Sequence, residues 1–169
     1  MSRITCGIAR ALILAAGVLA VACGGTAPAD GTTPEGETAG PPTPAQLAEA
    51  QYDAYMDQAG LAVTEGRTQD ALDAYLAAAE VYDKTGEIIV ERAEAHYLAA
   101  DLAYQRMEKD LAIEEYQKAI DIYLRFTGNS KIKAAVALTN MGVIYKEKVE
   151  KDKARNCWEP AIQIYNEAP

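Results

Sequence analysis

Few side chains in this sequence have the chemistry for catalysis. The single histidine is His96, and the only serines are Ser2 and Ser130. One histidine excludes a metal site built from several imidazoles, and Ser130 is expected to cap a helix, which argues against a Ser-His-Asp triad. No glycine string follows a strand, so no phosphate-binding loop is expected. We expect no catalytic residue, no metal site and no cofactor.

Acidic pairs are the remaining candidates for acid–base chemistry. Glu114 with Glu115, and Glu91 with Glu94, place two carboxylates close together. We expect these pairs on exposed helix faces, where they act as ordinary solubilising charge. His96 falls at a core position of the helical pattern, so we expect a buried structural histidine.

A helical pattern of alanine and aromatic residues recurs three times along the chain. Within each copy the spacing is i, i+4, i+7 and i+11, which is one face of an α-helix. The copies, at shifts of 41 and 42 residues, are Ala71, Tyr75, Ala78 and Tyr82; Ala112, Tyr116, Ala119 and Tyr123; and Ala154, Trp158, Ala161 and Tyr165. A fixed period of this size predicts stacked units, an arrangement that mostly binds other proteins.

The pattern predicts an all-α solenoid of three antiparallel hairpins, or six helices, without strands. Thr43 and Gln46 are expected to form a capping box at the first helix. Thr68, and then Asn129 or Ser130, are expected to cap later helices. The predicted helices run from Pro44 to about Glu65, from Thr68 to near Lys84 with Gly86 as the stop signal, from Glu87 to about Met107, from about Asp110 to Phe126, from Lys131 to about Lys148, and from Asp152 to near Glu167.

The first helices of the units share a register as well. Small residues stand where each helix pair would cross, and large aromatic residues lie beside them: Ala59, Ala100 and Gly142, with Tyr75, Tyr116 and Trp158. This pattern resembles the tetratricopeptide repeat (TPR), most clearly in the third unit, where Leu138 to Tyr145 precede Ala154, Trp158 and Ala161. The usual TPR period is about 34 residues; the longer period here is similar to that of kinesin light chains. HEAT and armadillo repeats have a comparable period but lack the small-residue crossing.

Two departures from the repeat pattern have structural consequences. The turn glycine, Gly66, is replaced by Met107 in the second unit and by Val149 in the third, so looser turns are expected there. Pro160 lies inside the sixth helix, where it removes one amide donor and crowds the carbonyl group of Asn156. We expect a kink between Asn156 and Pro160.

The amino-terminal segment has the anatomy of an export signal. Arg3 and Arg10 flank the start of an apolar run that is too short to span a membrane. Residues 19–23, Leu-Ala-Val-Ala-Cys, resemble a bacterial lipobox. The resemblance implies cleavage before Cys23 and its acylation, with palmitate as an acyl group, and Gly24 favours the outer membrane by analogy with enteric bacteria. A plain secretory signal is the alternative.

The predicted domain boundaries follow the composition. They are 1–22 for the lipoprotein signal peptide, 23–44 for the lipidated cysteine and a flexible Gly/Pro/Thr tether, and 45–169 for the TPR domain, with units at about 45–86, 87–128 and 129–169. Cys157 is the only cysteine in the predicted TPR domain. An internal disulfide is therefore impossible there, and we expect a buried small hydrophobe.

Charge is distributed unevenly along the chain. The net charge of −9 argues against a nucleic-acid partner. Residues 45–129 carry 7 basic and 17 acidic residues, whereas residues 130–169 carry 7 and 5. The basic residues of the last unit are Lys131, Lys133, Lys146, Lys148, Lys151, Lys153 and Arg155. They are expected to form a solvated face; the alternatives are a docking patch for an acidic partner or anionic lipid, and head-to-tail self-association.

TPR arrays bind partners on the concave face that their first helices form. By register, this face should include Asp53, Met56, Gly60, Glu94, Tyr97, Asp101, Tyr104, Thr139, Val143 and Lys146. Tyr97 and Tyr104 could flank a peptide as interface anchors, or could pack between units. Because the first two units offer carboxylates, the expected guest is a basic or mixed apolar segment.

The sequence shows no extra polar helix after the sixth, so Ile162 and its neighbours are expected to face solvent or a partner. We interpret the chain as a membrane-anchored protein–protein interaction adaptor or scaffold of the bacterial cell envelope, and not as an enzyme. Its partner would be a protein or peptide. The alternative is a structural, self-assembling TPR module without a peptide ligand.

Overall fold

The computed structural model describes residues 41–85 and 89–168. These residues form helices and no strand. The helices are α1 (Pro44–Thr64), α2 (Thr68–Thr85), α3 (Val90–Gln105), α4 (Lys109–Tyr123), α5 (Asn129–Glu147) and α6 (Lys151–Glu167). None of them is long and apolar enough to cross a membrane. The predicted signal peptide, Cys23, most of the tether, the helix stop at Gly86 and the helix start at Glu87 lie outside the described residues.

Helices that follow one another in sequence also pack against one another. The pairs α1–α2, α3–α4 and α5–α6 form the three hairpins, and the hairpins stack through α2–α3 and α4–α5. Each unit therefore buries its apolar faces on its neighbours. This order confirms the predicted all-α solenoid of three hairpins.

Alanines at the repeat positions form the buried seam of the array. In all three second helices both alanines of the pattern are at most 2% exposed: Ala71, Ala78, Ala112, Ala119, Ala154 and Ala161. Tyr123 is buried because the first helix of the next unit, α5, packs on α4. Tyr165, at the same position in α6, is exposed.

The close crossing of paired helices is clearest in the third unit. The indole of Trp158 on α6 lies directly over Gly142 on α5, so a Cβ atom added there would lie 2.6 Å from Cδ1 of Trp158. The indole nitrogen of Trp158 donates a hydrogen bond to the carbonyl oxygen of Thr139, at 3.2 Å. Glycine therefore fits at this crossing, where the repeat pattern predicts a small residue.

The first helix start agrees with the sequence, and the second does not. Oγ1 of Thr43 accepts a hydrogen bond from the Gln46 amide, and the Gln46 side chain accepts one from the Thr43 amide, which confirms the capping box. Thr68 was expected to precede α2, but it is the first residue within that helix. Its hydroxyl group accepts a hydrogen bond from Arg106 in the neighbouring unit instead.

The connection between α4 and α5 also differs from the prediction. α4 ends at Tyr123, three residues before the expected end at Phe126. Gly128, at φ +65°, holds the position before α5, and no side chain caps this helix. The predicted cap by Asn129 or Ser130 is therefore wrong, because the chain enters α5 through a conformation that favours glycine.

All three hairpins are closed by the same left-handed turn. Gly66, Met107 and Val149 have φ angles of +73°, +65° and +64°. In each turn this residue and the next one donate to helix carbonyl groups: Gly66 to Val63 and Arg67 to Ala62; Met107 to Tyr104 and Glu108 to Ala103; Val149 to Lys146 and Glu150 to Tyr145. The expectation of looser turns is wrong, because the hydrogen bonds are kept. Instead, a residue other than glycine in this left-handed conformation costs about 1–2 kcal/mol of backbone strain per turn.

Pro160 does not end the last helix. α6 is helical from Lys151 to Glu167 with Pro160 inside it. The expected kink between Asn156 and Pro160 stays a prediction.

The crossing at Gly142 predicts that substitution by alanine changes the free energy of unfolding in opposite directions at Gly142 and Gly60. Gly142→Ala should lower the free energy of unfolding by about 1–3 kcal/mol, because the new methyl group overpacks against Trp158. Gly60→Ala, inside α1 with no atom within 4 Å of an added Cβ, should raise it by about 0.5–1 kcal/mol, because alanine is the better helix former. Urea denaturation measures both, and the same sign for both variants would contradict the crossing.

Candidate protein-binding surface

The histidine and one of the acidic residues form a buried pair. His96 of α3 and Glu115 of α4 are 3% and 2% exposed, and Nδ1 of His96 lies 2.7 Å from Oε2 of Glu115. The expectation that Glu115 is exposed is wrong, whereas Glu114 is exposed as expected. Glu115 shares its repeat register with two buried residues, Ala74 and Cys157, and this signal in the sequence could have revealed its position.

The buried carboxylate is held by two donors. Besides His96, the ammonium group of Lys118 lies 2.7 Å from Oε1 of Glu115. Burial raises the pKa of Glu115, but the hydrogen bonds from His96 and Lys118 outweigh it, and the pKa lies below its usual value. Cys157 is buried as expected, and burial raises the pKa of its thiol. Among the described residues no cluster of His, Cys, Asp and Glu could hold a metal ion.

The predicted concave residues of α3 meet a row of side chains on α5. Contacts that bridge the two helices are Glu94 with Lys133, Tyr97 with Asn140, and Tyr104 with Glu147. Because the first helices of units two and three are joined by these pairs, this part of the face is continuous across the unit boundary.

The two predicted anchor tyrosines are partly engaged within the protein. The ring of Tyr97 meets the edge of Tyr116 at a centroid distance of 5.7 Å, and its hydroxyl group accepts a hydrogen bond from Asn140 at 3.3 Å. The hydroxyl group of Tyr104 donates to Oε1 of Glu147 at 2.6 Å. Burial raises the pKa of Tyr97, and the hydrogen bond to Glu147 raises that of Tyr104. Both side chains are half-buried, so they pack between units and keep part of their surface accessible.

Behind these tyrosines lies a small polar network. The hydroxyl group of Tyr116 donates to Asp101, and the amide of Asn140 donates to both Tyr97 and Tyr116. Burial and the hydrogen bond to Asp101 raise the pKa of Tyr116. Asp101 is therefore part of a hydrogen-bond network that links α3, α4 and α5.

The other predicted residues are spread more widely. On α1, Asp53 is exposed, whereas Met56 packs on the hydrophobic cluster that contains Tyr52 and Tyr82. On α5, Thr139 is half-buried and its hydroxyl donates to Ala135 of its own helix. Residues with a free outer surface are Gly60, which is half-buried, and Val143 and Lys146, which are exposed.

A pocket of about 160 Å3 opens between α3 and α5. Its lining is mostly apolar: Glu94, Tyr97, Tyr123, Lys133 and Val136. The ammonium group of Lys133 lies 5.8 Å from the ring centroid of Tyr123 and pairs with Glu94. The arrangement is an apolar cup with an ion pair at its rim, suited to one apolar side chain of a guest.

Sequence reasoning missed three residues of this pocket as part of the face. Val136 shares its register with Asp53 and Glu94, so the repeat pattern could have identified it. Lys133 and Tyr123 reach the pocket only because two units meet there, which the pattern of one unit does not show.

The pair at Glu115 generates a pH prediction. The native state lowers this pKa from an ordinary value of 4.5, so its stabilisation is complete above that pH and is lost as the pH falls through the native pKa. Glu115→Gln should cost about 1–3 kcal/mol at neutral pH and reduce the loss of stability on acidification. Glu114→Gln, at the exposed neighbour, is the control and should change neither. Denaturation curves between pH 3 and 7, in steps of about 0.5, test this, and equal pH dependence in both variants would contradict it.

Comparisons with known proteins agree with this fold. The chain is similar in structure to BtubC (BKLC) from P. vanneervenii, with a TM-score of 0.59 and 20% identity over 72% of this chain and 47% of BtubC, so it spans about half the length of that protein. It is also similar to MamA, with a TM-score of 0.56 and 22% identity over 73% of this chain and 69% of MamA. No curated protein sequence matches it.

The two structural similarities establish a shared TPR-like helical fold. A family match is more specific. Residues 45–169 match the family described as SNAP, soluble NSF attachment protein. This region covers all six described helices except Pro44, the first residue of α1, and the chain belongs to the soluble NSF attachment protein family.

Proposed function

We propose that this chain is a lipid-anchored adaptor of the bacterial cell envelope, which holds a protein partner on the concave face of its repeats. The observation that carries the binding role is the apolar pocket between α3 and α5, which Tyr97 and Val136 help to line. Membership of a family named for attachment supports an adaptor role.

The chemistry of the face favours one kind of guest. Asp53 is exposed on α1 and Glu94 lies at the pocket rim, while Tyr97, Tyr123 and Val136 supply apolar surface. A basic segment with one large apolar side chain would place that side chain in the pocket and its charges along the carboxylates. The bridging contacts between α3 and α5 hold the face in place before binding, which lowers the entropy cost of association.

The anchor rests on the sequence before the described residues. The apolar run and the lipobox-like residues 19–23 support acylation of Cys23. Gly24 favours, by analogy with enteric bacteria, an anchor in the outer membrane on its periplasmic side. Because each buried methylene contributes about 0.8 kcal/mol, two or more acyl chains would hold the chain firmly at the membrane.

The anchor is tested by the two cysteines of the predicted signal region. Cys23→Ser should abolish incorporation of labelled palmitate and release the protein from the membrane fraction. Cys6→Ser is the matched control and should keep both, since Cys6 leaves with the signal peptide. Retention of the label in Cys23→Ser would contradict lipidation at this residue.

The binding role is tested by photocrosslinking in cells from position 143. A photoreactive residue in place of Val143, which is exposed on the predicted face, should capture one protein that is absent when the probe replaces Asp73, exposed on α2. Val136→Asp should reduce this capture at least about tenfold, because it places an unpaired charge in the apolar pocket.

Controls separate loss of binding from loss of folding. The thermal melt of Val136→Asp should stay close to that of the parent, and Gln117→Asp, on the exposed face of α4, should leave capture unchanged. Equal capture from positions 143 and 73, or capture that survives Val136→Asp, would overturn a concave binding site.

A further inference from the structure

The two internal junctions of the array use equivalent residues. Each junction packs the second helix of one unit on the first helix of the next, α2 on α3 and α4 on α5. On the first helices, the residues of one shared register are buried to 0–5% exposure in both units: Ala95, Ala99 and Leu102 on α3, and Ala137, Met141 and Ile144 on α5. The same stacking surface therefore occurs twice in the array, once on α3 and once on α5.

The same surface is uncovered on α1. The residues at the equivalent positions are Ala54, Gln58 and Leu61, which we call the head surface. All three are exposed, and Leu61 is 62% exposed. None of the three is charged, unlike Asp53 and Asp57 on the adjoining face.

The complementary surface is uncovered on α6. Ile162 and Tyr165, which we call the tail surface, are 57% and 44% exposed. The residues of the same register in the first two units are Ala79 and Ile120, at 1% and 2%, and Tyr82 and Tyr123, at 5% and 1%. The difference comes from position in the array, because Ile120 and Tyr123 have the same side chains as Ile162 and Tyr165.

The molecule thus presents both halves of a junction that it already makes twice. We propose that these halves meet between copies: the tail surface of one chain docks on the head surface of a second copy, which continues the stack from one molecule to the next. Such an interface is heterologous, so it extends into a row of molecules or closes into a ring, and it does not stop at a two-fold dimer.

Charge disfavours head-to-head docking. α1 carries Glu49, Asp53 and Asp57 and no basic residue, so two copies of α1 would repel each other. In α6, three basic and three acidic residues balance, and the basic residues at its start include Lys151 and Arg155, which are exposed. Head-to-tail docking therefore sets the acidic helix against a helix that can supply basic partners.

The inner junction shows how such charges are used. Lys133 pairs with Glu94, and Lys148 with Asp110, across the boundary between units two and three. In both pairs the basic residue belongs to the later unit and meets an acidic residue of the earlier unit. Between copies the order would be reversed, because Lys151 and Arg155 at the start of α6 would meet the acidic residues of α1 in the next copy.

Disulfide crosslinking between two tagged copies of the full chain tests the proposal. One copy carries Leu61→Cys and the other Ile162→Cys, both are produced in the same cells, and membranes are treated with a mild oxidant. The expected product carries both tags. Copies without these substitutions are the control and should give no such product, since Cys157 is buried.

Two outcomes of the crosslinking would overturn head-to-tail docking. Crosslinks between two Leu61→Cys copies, or between two Ile162→Cys copies, at equal yield would indicate a two-fold dimer. Absence of the mixed product would mean that the surfaces do not meet; residues 1–40 or another protein would then be left as occupants of the head surface.

A charge placed in the tail surface provides the second measurement. Ile162→Asp should weaken self-association of the detergent-solubilised chain at least about tenfold in sedimentation, because the buried isoleucine is lost from the interface. Met107→Asp, at an exposed apolar residue of a turn, should not. Val136→Asp should leave association intact, so that failure here and failure of the concave site are distinguishable. Equal association of Ile162→Asp and the parent would overturn the proposal.

Discussion

The structure depends on the close crossing of two helices within each unit. Small residues let the backbones approach, and an aromatic ring fills the space beside the crossing, as Trp158 does over Gly142. A hairpin built this way still has apolar surface on both sides, which only another hairpin can cover. The inner helices α3 and α4 are accordingly the most completely buried, and the outer helices keep one open side.

Polar contacts within and between units make this apolar packing more specific. Asp101, Tyr116, Asn140 and Tyr97 form a chain of hydrogen bonds through α3, α4 and α5, and His96 with Glu115 ties α3 to α4. Buried polar groups are costly when one partner is missing. These contacts therefore favour one arrangement of α3, α4 and α5, the helices around the pocket where we place the partner.

Most of the fold could be predicted from the repeat, because a buried alanine must recur wherever two helices cross. Ala78, Ala119 and Ala161 are buried as the pattern requires. The predictions that failed concern features that depend on contacts between helices or on backbone conformation. Glu115 is buried because His96 and Lys118 reach it from other turns, and the pocket at Val136 exists only between two units. Turn conformation at Met107 and Val149 is imposed by the hairpin, against the preference of the residues themselves.

The left-handed turns make local stability vary along the array. The first hairpin starts with a side-chain cap and has glycine in its turn. The turns of the other two hairpins contain Met107 and Val149, whose backbone strain is relieved when the turn unfolds. Among the described residues, the first and the last hairpin each have a neighbour on one side only, and of these two only the last has a strained turn. Amide protons should therefore exchange fastest in α6 and slowest in the middle of the stack, which means that local unfolding begins at the carboxyl end of the array.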